Sequence, residues 1–176
     1  MITSLQALLA LSTMDSKIRE LSRDAQAILR VQLNAVQSNA AGSSAQTLLT
    51  AEAKEVYKGA LPAGSEETVS ILVPGVGSNG ASSFKVLGFP KLKVGREYIV
   101  FVNWDASGHA ELVAWTAYRV VQLESGVRAV VKVGEPGMVR GSSQKSSPTS
   151  MMHARATEAR IQDYDSFVSE IYRGLD

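Results

Sequence analysis

The chain has 176 residues, 45% of them hydrophobic and 20% charged, with Lys plus Arg at 18 against Asp plus Glu at 17. That balance describes a folded domain and excludes a disordered or polycationic chain, and no run approaches the roughly 20 apolar residues of a membrane span. Cysteine is absent, which excludes disulfides, thiolate metal sites and cysteine nucleophiles, and the only histidines are His109 and His153.

Residues 1–24 read as an amphipathic helix from about Thr3, with Leu5, Leu8, Leu9, Ile18 and Leu21 at helical spacing and a charged face from Asp15 to Asp24. The apolar run Leu5 to Leu11 is also what a secretory signal remnant would leave, although no Lys or Arg precedes it. As a helix it makes a peripheral contact arm, with Leu5, Leu8 and Leu9 as candidate partner-binding residues.

From Ala27 the period changes to two. Val31, Leu33 and Ala35 alternate with Arg30, Gln32 and Asn34; Leu49, Ala51 and Ala53 alternate with Thr50, Glu52 and Lys54; Val69, Ile71 and Val73 alternate with Thr68, Ser70 and Leu72. Turns rich in Gly, Pro and Ser separate these strands. Phe84 to Leu87 suggests a short edge strand. Glu97 to Trp104 is a nearly continuous apolar run suited to a central strand. A DASG turn leads into a partner strand, Glu111 to Val121, with Leu112, Ala114, Thr116 and Tyr118 on one face and Val113, Trp115 and Ala117 on the other. Val127 to Val133 is a sixth strand. Tyr98, Phe101, Trp104 and Trp115 lie in the most apolar strands, and Phe101 and Trp115 are expected in the core.

Six short strands at regular spacing, with no alternation of strand and helix, predict a mainly β fold. The expected architecture is a small antiparallel OB-like β-barrel over 25–133, with an N-terminal and a C-terminal α-helix. Residues 134–150 read as a flexible linker and 151–176 as a helical segment packed on the barrel. There Ile161, Tyr164, Phe167, Val168 and Ile171 form an apolar stripe, Asp163 caps a helix starting at Tyr164, and Arg173 with Gly174 predicts a left-handed stop.

Gly75, Gly77 and Gly80 spell a dinucleotide-type glycine pattern after a strand, but no helix follows, so the reading is a surface loop. Lys85, Lys91, Lys93 and Arg96 form a cationic stretch with no acid among them, which can meet an acidic partner or phosphates. His109 and His153 have no companion nucleophile motif, and Met151, Met152 and His153 are adjacent residues that cannot all face one ion. Glu66 and Glu67 read as a solvated edge. The expectation is therefore no catalytic residue, no cofactor-binding residue and no metal.

The segments AILRVQLNAVQ, AEAKEVYKGALPAG, GFPKLKVGREYIVFVN and AWTAYRVV, with the closing helix DYDSFVSEIYRGL, resemble a bacterial domain related to tissue inhibitors of metalloproteinases, which share an OB-like barrel with netrin-like modules. The resemblance spans about Ala25 to Leu175 and rests most on VYKG and KVGREYIVF. It implies a non-catalytic, extracytoplasmic (secreted or periplasmic) protein-binding module. The animal inhibitors chelate the protease zinc through an N-terminal cysteine, and a cysteine-free chain cannot inherit that role. Two alternatives stand beside this expectation: a structural subunit of a larger, homo-oligomeric assembly, and a nucleic-acid-binding OB barrel, the latter disfavoured by the near-neutral charge.

Overall fold

The computed structural model describes residues 17–39, 46–74, 89–133 and 161–176. Within these, residues 17–24 form the helix α1. It is followed by β1 (Ala27–Asn39), β2 (Gln46–Lys58), β3 (Thr68–Pro74), β4 (Glu97–Trp104), β5 (Ala110–Gln122), β6 (Arg128–Lys132), β7 (Ile161–Asp163) and the helix α2 (Tyr164–Arg173). The strands form one sheet in the order β3-β2-β1-β4-β5-β6-β7. A parallel pairing of β3 with β5, Ile71 opposite Ala110 and Leu72 opposite Glu111, closes five of them into a ring. All other pairings are antiparallel. The fold is a small OB-like barrel with β6 and β7 extending the sheet beyond the ring.

Period-two patterning decides the two faces. Ala27, Leu29, Val31 and Leu33 of β1 point into the ring, where they meet Leu49, Ala51 and Ala53 of β2, Val69 and Ile71 of β3 and Tyr98, Val100 and Val102 of β4. The opposite face is buried as well. Ile28, Tyr57, Ile99, Phe101, Tyr118 and Val130 pack under Ile18 and Leu21 of α1 and Tyr164, Phe167 and Ile171 of α2. β4 therefore reads as a continuous apolar run because it is covered on both sides. Phe101 is fully buried, in the helix-side layer, with its ring 6.0 Å from that of Tyr118.

The two helices touch closely, and Gly174 is the reason they can. Its φ of −84° is not left-handed, contrary to the expectation from Arg173-Gly174. A Cβ there would stand 2.8 Å from Ser22 Cβ and 2.9 Å from Arg19 Cα, so the glycine serves inter-helix approach rather than backbone conformation. The Asp163 cap is as expected, its carboxylate accepting from the Ser166 backbone N–H at 2.9 Å. Residues 161–163, expected as helix, are instead β7, paired with β6 through Ala129 and Asp163, Val130 and Gln162, and Val131 and Ile161.

α1 is also more central than expected. Ile18 is fully buried and Leu21 nearly so, so residues 17–24 belong to the core rather than to a detachable arm. Lys58 closes the C-terminus of α1, its Nζ donating to the carbonyls of Ser22 (2.7 Å), Arg23 (3.2 Å) and Ala25 (2.7 Å). The next residue, Gly59, has φ of +76°, and a Cβ on it would overlap the Gln26 carbonyl oxygen. Each residue of the Tyr57-Lys58-Gly59 stretch thus ties β2 to the start of β1 or to the helices.

The facing expected for β5 holds only up to Val113. In a regular ladder, with Leu112 opposite Val102, Ala114 would face Val100. Ala117 is found there instead, which is three residues of extra chain. The excess is taken up at Ala114 and Trp115, both in the left-handed region at φ of +48° and +49°. An odd insertion reverses the alternation. Ala117 therefore enters the barrel, Tyr118 turns to the helices, and Trp115, expected in the core, is 45% exposed.

Candidate functional site

β5 changes its company at the bulge: the register beyond it carries β6. Tyr98 of β4, Arg119 of β5 and Val131 of β6 are successive partners in one register row. Cross-strand partners share a face, and Tyr98 belongs to the barrel interior, so Arg119 turns toward the barrel mouth because of the three-residue excess. Without that excess, parity would place Arg119 on the helix side.

The segment before β4 closes over this mouth. Phe89 and Leu92 pack against the barrel interior, while Lys91 and Lys93 between and beside them stay exposed. The buried Tyr98 holds the segment in place. Its hydroxyl accepts from the Lys93 backbone N–H at 2.7 Å and faces the Lys93 carbonyl at 3.4 Å. A cleft of about 220 Å³ results, lined by Lys91, Lys93, Tyr98, Arg119, Val131, Lys132 and Val133. Four of these side chains are cationic and none is acidic. Among the described residues no carboxylate pairs with Lys91, Lys93 or Arg119.

Of the cations singled out in sequence, Lys91 and Lys93 meet at the cleft. Arg96 is exposed but does not line it. Its carbonyl accepts from Leu33 N–H at 3.0 Å, which pins the turn to β1. Lys85, Leu5, Leu8 and Leu9 lie outside the described residues, as do Gly75, Gly77, Gly80, Met151, Met152, His153 and the segment 134–150. Arg119 and Lys132 escaped the sequence reading. The available signal was a lone cation inside the apolar run AWTAYRVV, at a position that alternation alone assigns to the wrong face.

The bulge also displays an aromatic pair. The Trp115 ring lies 6.1 Å from that of Phe89, two residues ahead of Lys91, so the aromatic pair and the cationic cleft adjoin through residues 89–93.

Elsewhere the charged groups serve the fold. Asp105 Oδ1 accepts from Ser107 N–H and His109 N–H, each at 2.8 Å, and His109 Nδ1 lies 3.2 Å from Asp105 Oδ2. The His109 backbone bond foremost, with that from Ser107, holds the Asp105 carboxyl below its usual range, and the cluster fixes the β4–β5 hairpin. On the helix side, Arg30 Nε reaches Glu55 at 3.2 Å and its Nη1 reaches Glu97 at 3.0 Å. The Tyr57 hydroxyl bonds Glu55 at 3.1 Å and also the Tyr164 hydroxyl. Burial first, then the Tyr164 bond, pushes the Tyr57 phenol above its ordinary range, so it stays protonated. The Arg128 guanidinium sits 4.1 Å from the Tyr164 ring centre. A second concavity, about 480 Å³ beside α2, is lined by Asp163, Glu170 and Arg173 among others. Its acids are already engaged, Asp163 in capping and Glu170 with Arg19 and Arg173.

Among the described residues no group of three or more His, Asp or Glu is placed to hold a metal ion. No described helix is long and apolar enough to cross a membrane. Glu66 and Glu67 lie exposed in the turn before β3. No protein-family model matches the chain, and no curated protein matches it.

Proposed function

We propose that this chain is a non-catalytic protein-binding module whose contact surface is the mouth of the barrel, with Trp115 at its centre. The observation that carries the reading is the backbone of Ala114 and Trp115. Two consecutive non-glycine residues in the left-handed region cost about 1–2 kcal/mol each, and here they hold a tryptophan half in solvent beside Phe89. Strain of this kind accumulates where a side chain must be aimed, and β-bulges concentrate beside binding and active sites. Tryptophan is the side chain most enriched among the residues that dominate protein–protein affinity. The resemblance to netrin-like modules points the same way, and it alone carries the further proposal of an extracytoplasmic location.

The test is capture of partners from the native source on wild-type chain and on Trp115→Ala in parallel, with sedimentation of each. A partner retained by the wild type and lost from the variant, at unchanged far-UV circular dichroism, supports the reading. Equal capture by both sinks it. Self-association lost with Trp115 would instead make the chain a subunit of a homo-oligomer.

A further inference from the structure

We propose that the cationic cleft at the barrel mouth is a carboxylate site that receives Asp or Glu side chains of the protein partner. The inference rests on the protein-binding reading and specifies the chemistry of the surface adjoining Trp115. Arg119 is directed into the cleft by the register, with Lys91 and Lys93 beside it and no acid among the described residues of the lining. A guanidinium offers two parallel N–H donors that match the two oxygens of a carboxylate. Tyr98, Val131 and Val133 supply apolar wall, which suits the methylene stem of an acidic side chain and strengthens the charge pairing beside it. The Tyr98 hydroxyl is spent on the Lys93 backbone, so its part is to hold the lysine segment over the mouth.

Size and donor type narrow the ligand. At about 220 Å³ the cleft is smaller than the roughly 300–1,000 Å³ of pockets that enclose whole small molecules, and it suits one or two side-chain groups. A large class of phosphate sites adds backbone N–H groups at a helix N-terminus to its cationic side chains. The described helix with a capped N-terminus, α2, packs on the other face of the sheet, and the cations lining the cleft are side chains.

The experiment is a fluorescence-anisotropy titration of the full chain with a labelled oligoglutamate peptide at several salt concentrations. Binding should weaken with salt, and Arg119→Gln should raise the Kd roughly tenfold. Lys93→Gln, at an exposed position whose structural bonds are made by its backbone, should act in the same direction and guards against misfolding of the first variant. Arg23→Gln, exposed on α1, removes the same charge far from the cleft and should leave the Kd unchanged. Absence of binding at low salt, or equal weakening by Arg23→Gln, overturns the proposal. A phosphoserine peptide or an oligonucleotide bound more tightly, with the same Arg119 dependence, overturns the carboxylate assignment in favour of phosphate. The Trp115 capture uses a different variant and the native partner, so failure of either experiment leaves the other interpretable.

Discussion

On the helix-covered face of the sheet, Glu170 receives Arg19 and Arg173, and Glu55 receives Arg30 and the Tyr57 hydroxyl. At the mouth of the barrel, Arg119, Lys91 and Lys93 converge with no carboxylate among the described residues of the lining. The aromatic residues divide in the same way. Phe101, Tyr118 and Phe167 stack with ring centres 4.7–6.0 Å apart in a closed layer, whereas Trp115 stands at 45% exposure on a strained turn. Charges that meet opposite charges inside the fold add to its definition, and their removal should register as lost stability. Like charges gathered in a concave site repel one another and favour an anion, so their removal should register in binding.

The largest effect is expected where the helix-side layer is densest. Phe101→Ala leaves a cavity between Ile28, Tyr118 and the two helices, and should cost about 3–5 kcal/mol. A chemical-denaturation midpoint close to wild type would mean that the layer is not packed as described. Next comes Gly174→Ala. The added Cβ would press on Ser22 Cβ and the Arg19 backbone, so either the helices separate or α2 shifts. The expected loss is about 1–3 kcal/mol, read by thermal unfolding. A neutral result would show that α1 and α2 do not touch at this point.

Much of the first region was legible in the sequence, and the second much less so. β1 to β4 follow from alternation and turn chemistry, and the start of α2 follows from Asp163, because these signals are local. The stop of α2 at Arg173-Gly174 falls where the sequence puts it, but the glycine is not left-handed, because it answers to a contact with Ser22 and Arg19, some 150 positions earlier in the chain, rather than to its own φ. The three-residue β7 is too short to carry a period. The bulge at Ala114 and Trp115 has no turn residue to announce it, since it is a consequence of register against β4. Alternation carried through it therefore puts Ala117 and Tyr118 on the wrong faces and Trp115 in the core, and it gives no hint of where Arg119 points. A cleft that depends on a register shift, on a distant lysine segment and on a cation within an apolar strand cannot be assembled from periodicity.

Acid titration separates the two regions in another way. Burial by itself would raise the Glu170 carboxyl, but the hydrogen bond and charge of Arg19, joined by Arg173, outweigh it and hold the group below its ordinary 4.5. A carboxyl that titrates lower in the folded chain than in the unfolded one contributes stability that is fully present above about pH 4.5 and is lost as the pH falls through the folded value. Glu170→Gln should therefore lower stability at neutral pH by about 1–3 kcal/mol and flatten its dependence on pH in the acid range. Unfolding curves at neutral pH and at pH values below that of the ordinary glutamate would check this. Parallel pH profiles for the variant and the wild type would remove Glu170 from the account of how the helices are clamped.

The smallest stability change should come at the residue with the largest exposed aromatic ring. Trp115→Gly deletes the contact with Phe89, an aromatic pair worth about 0.5–1.5 kcal/mol. It also replaces a residue at φ of +49° by the one type that adopts this conformation without steric cost, relieving about 1–2 kcal/mol of strain. Glycine's extra freedom in the unfolded chain takes back about 0.5–1 kcal/mol. Losing the buried half of the indole costs about 1–1.5 kcal/mol more, so after the relieved strain the net loss should be about 1–2 kcal/mol, against about 3–5 kcal/mol for Phe101→Ala. Both substitutions remove a large aromatic ring from a strand of the same sheet. The contrast between them therefore isolates burial and backbone strain from ring size. Denaturant midpoints measured side by side decide the matter. A loss at Trp115 comparable to that at Phe101 would place the indole in the core and close the surface on which the proposed function depends. A small loss accompanied by lost partner capture would assign the strain at Ala114 and Trp115 to aiming the indole outward.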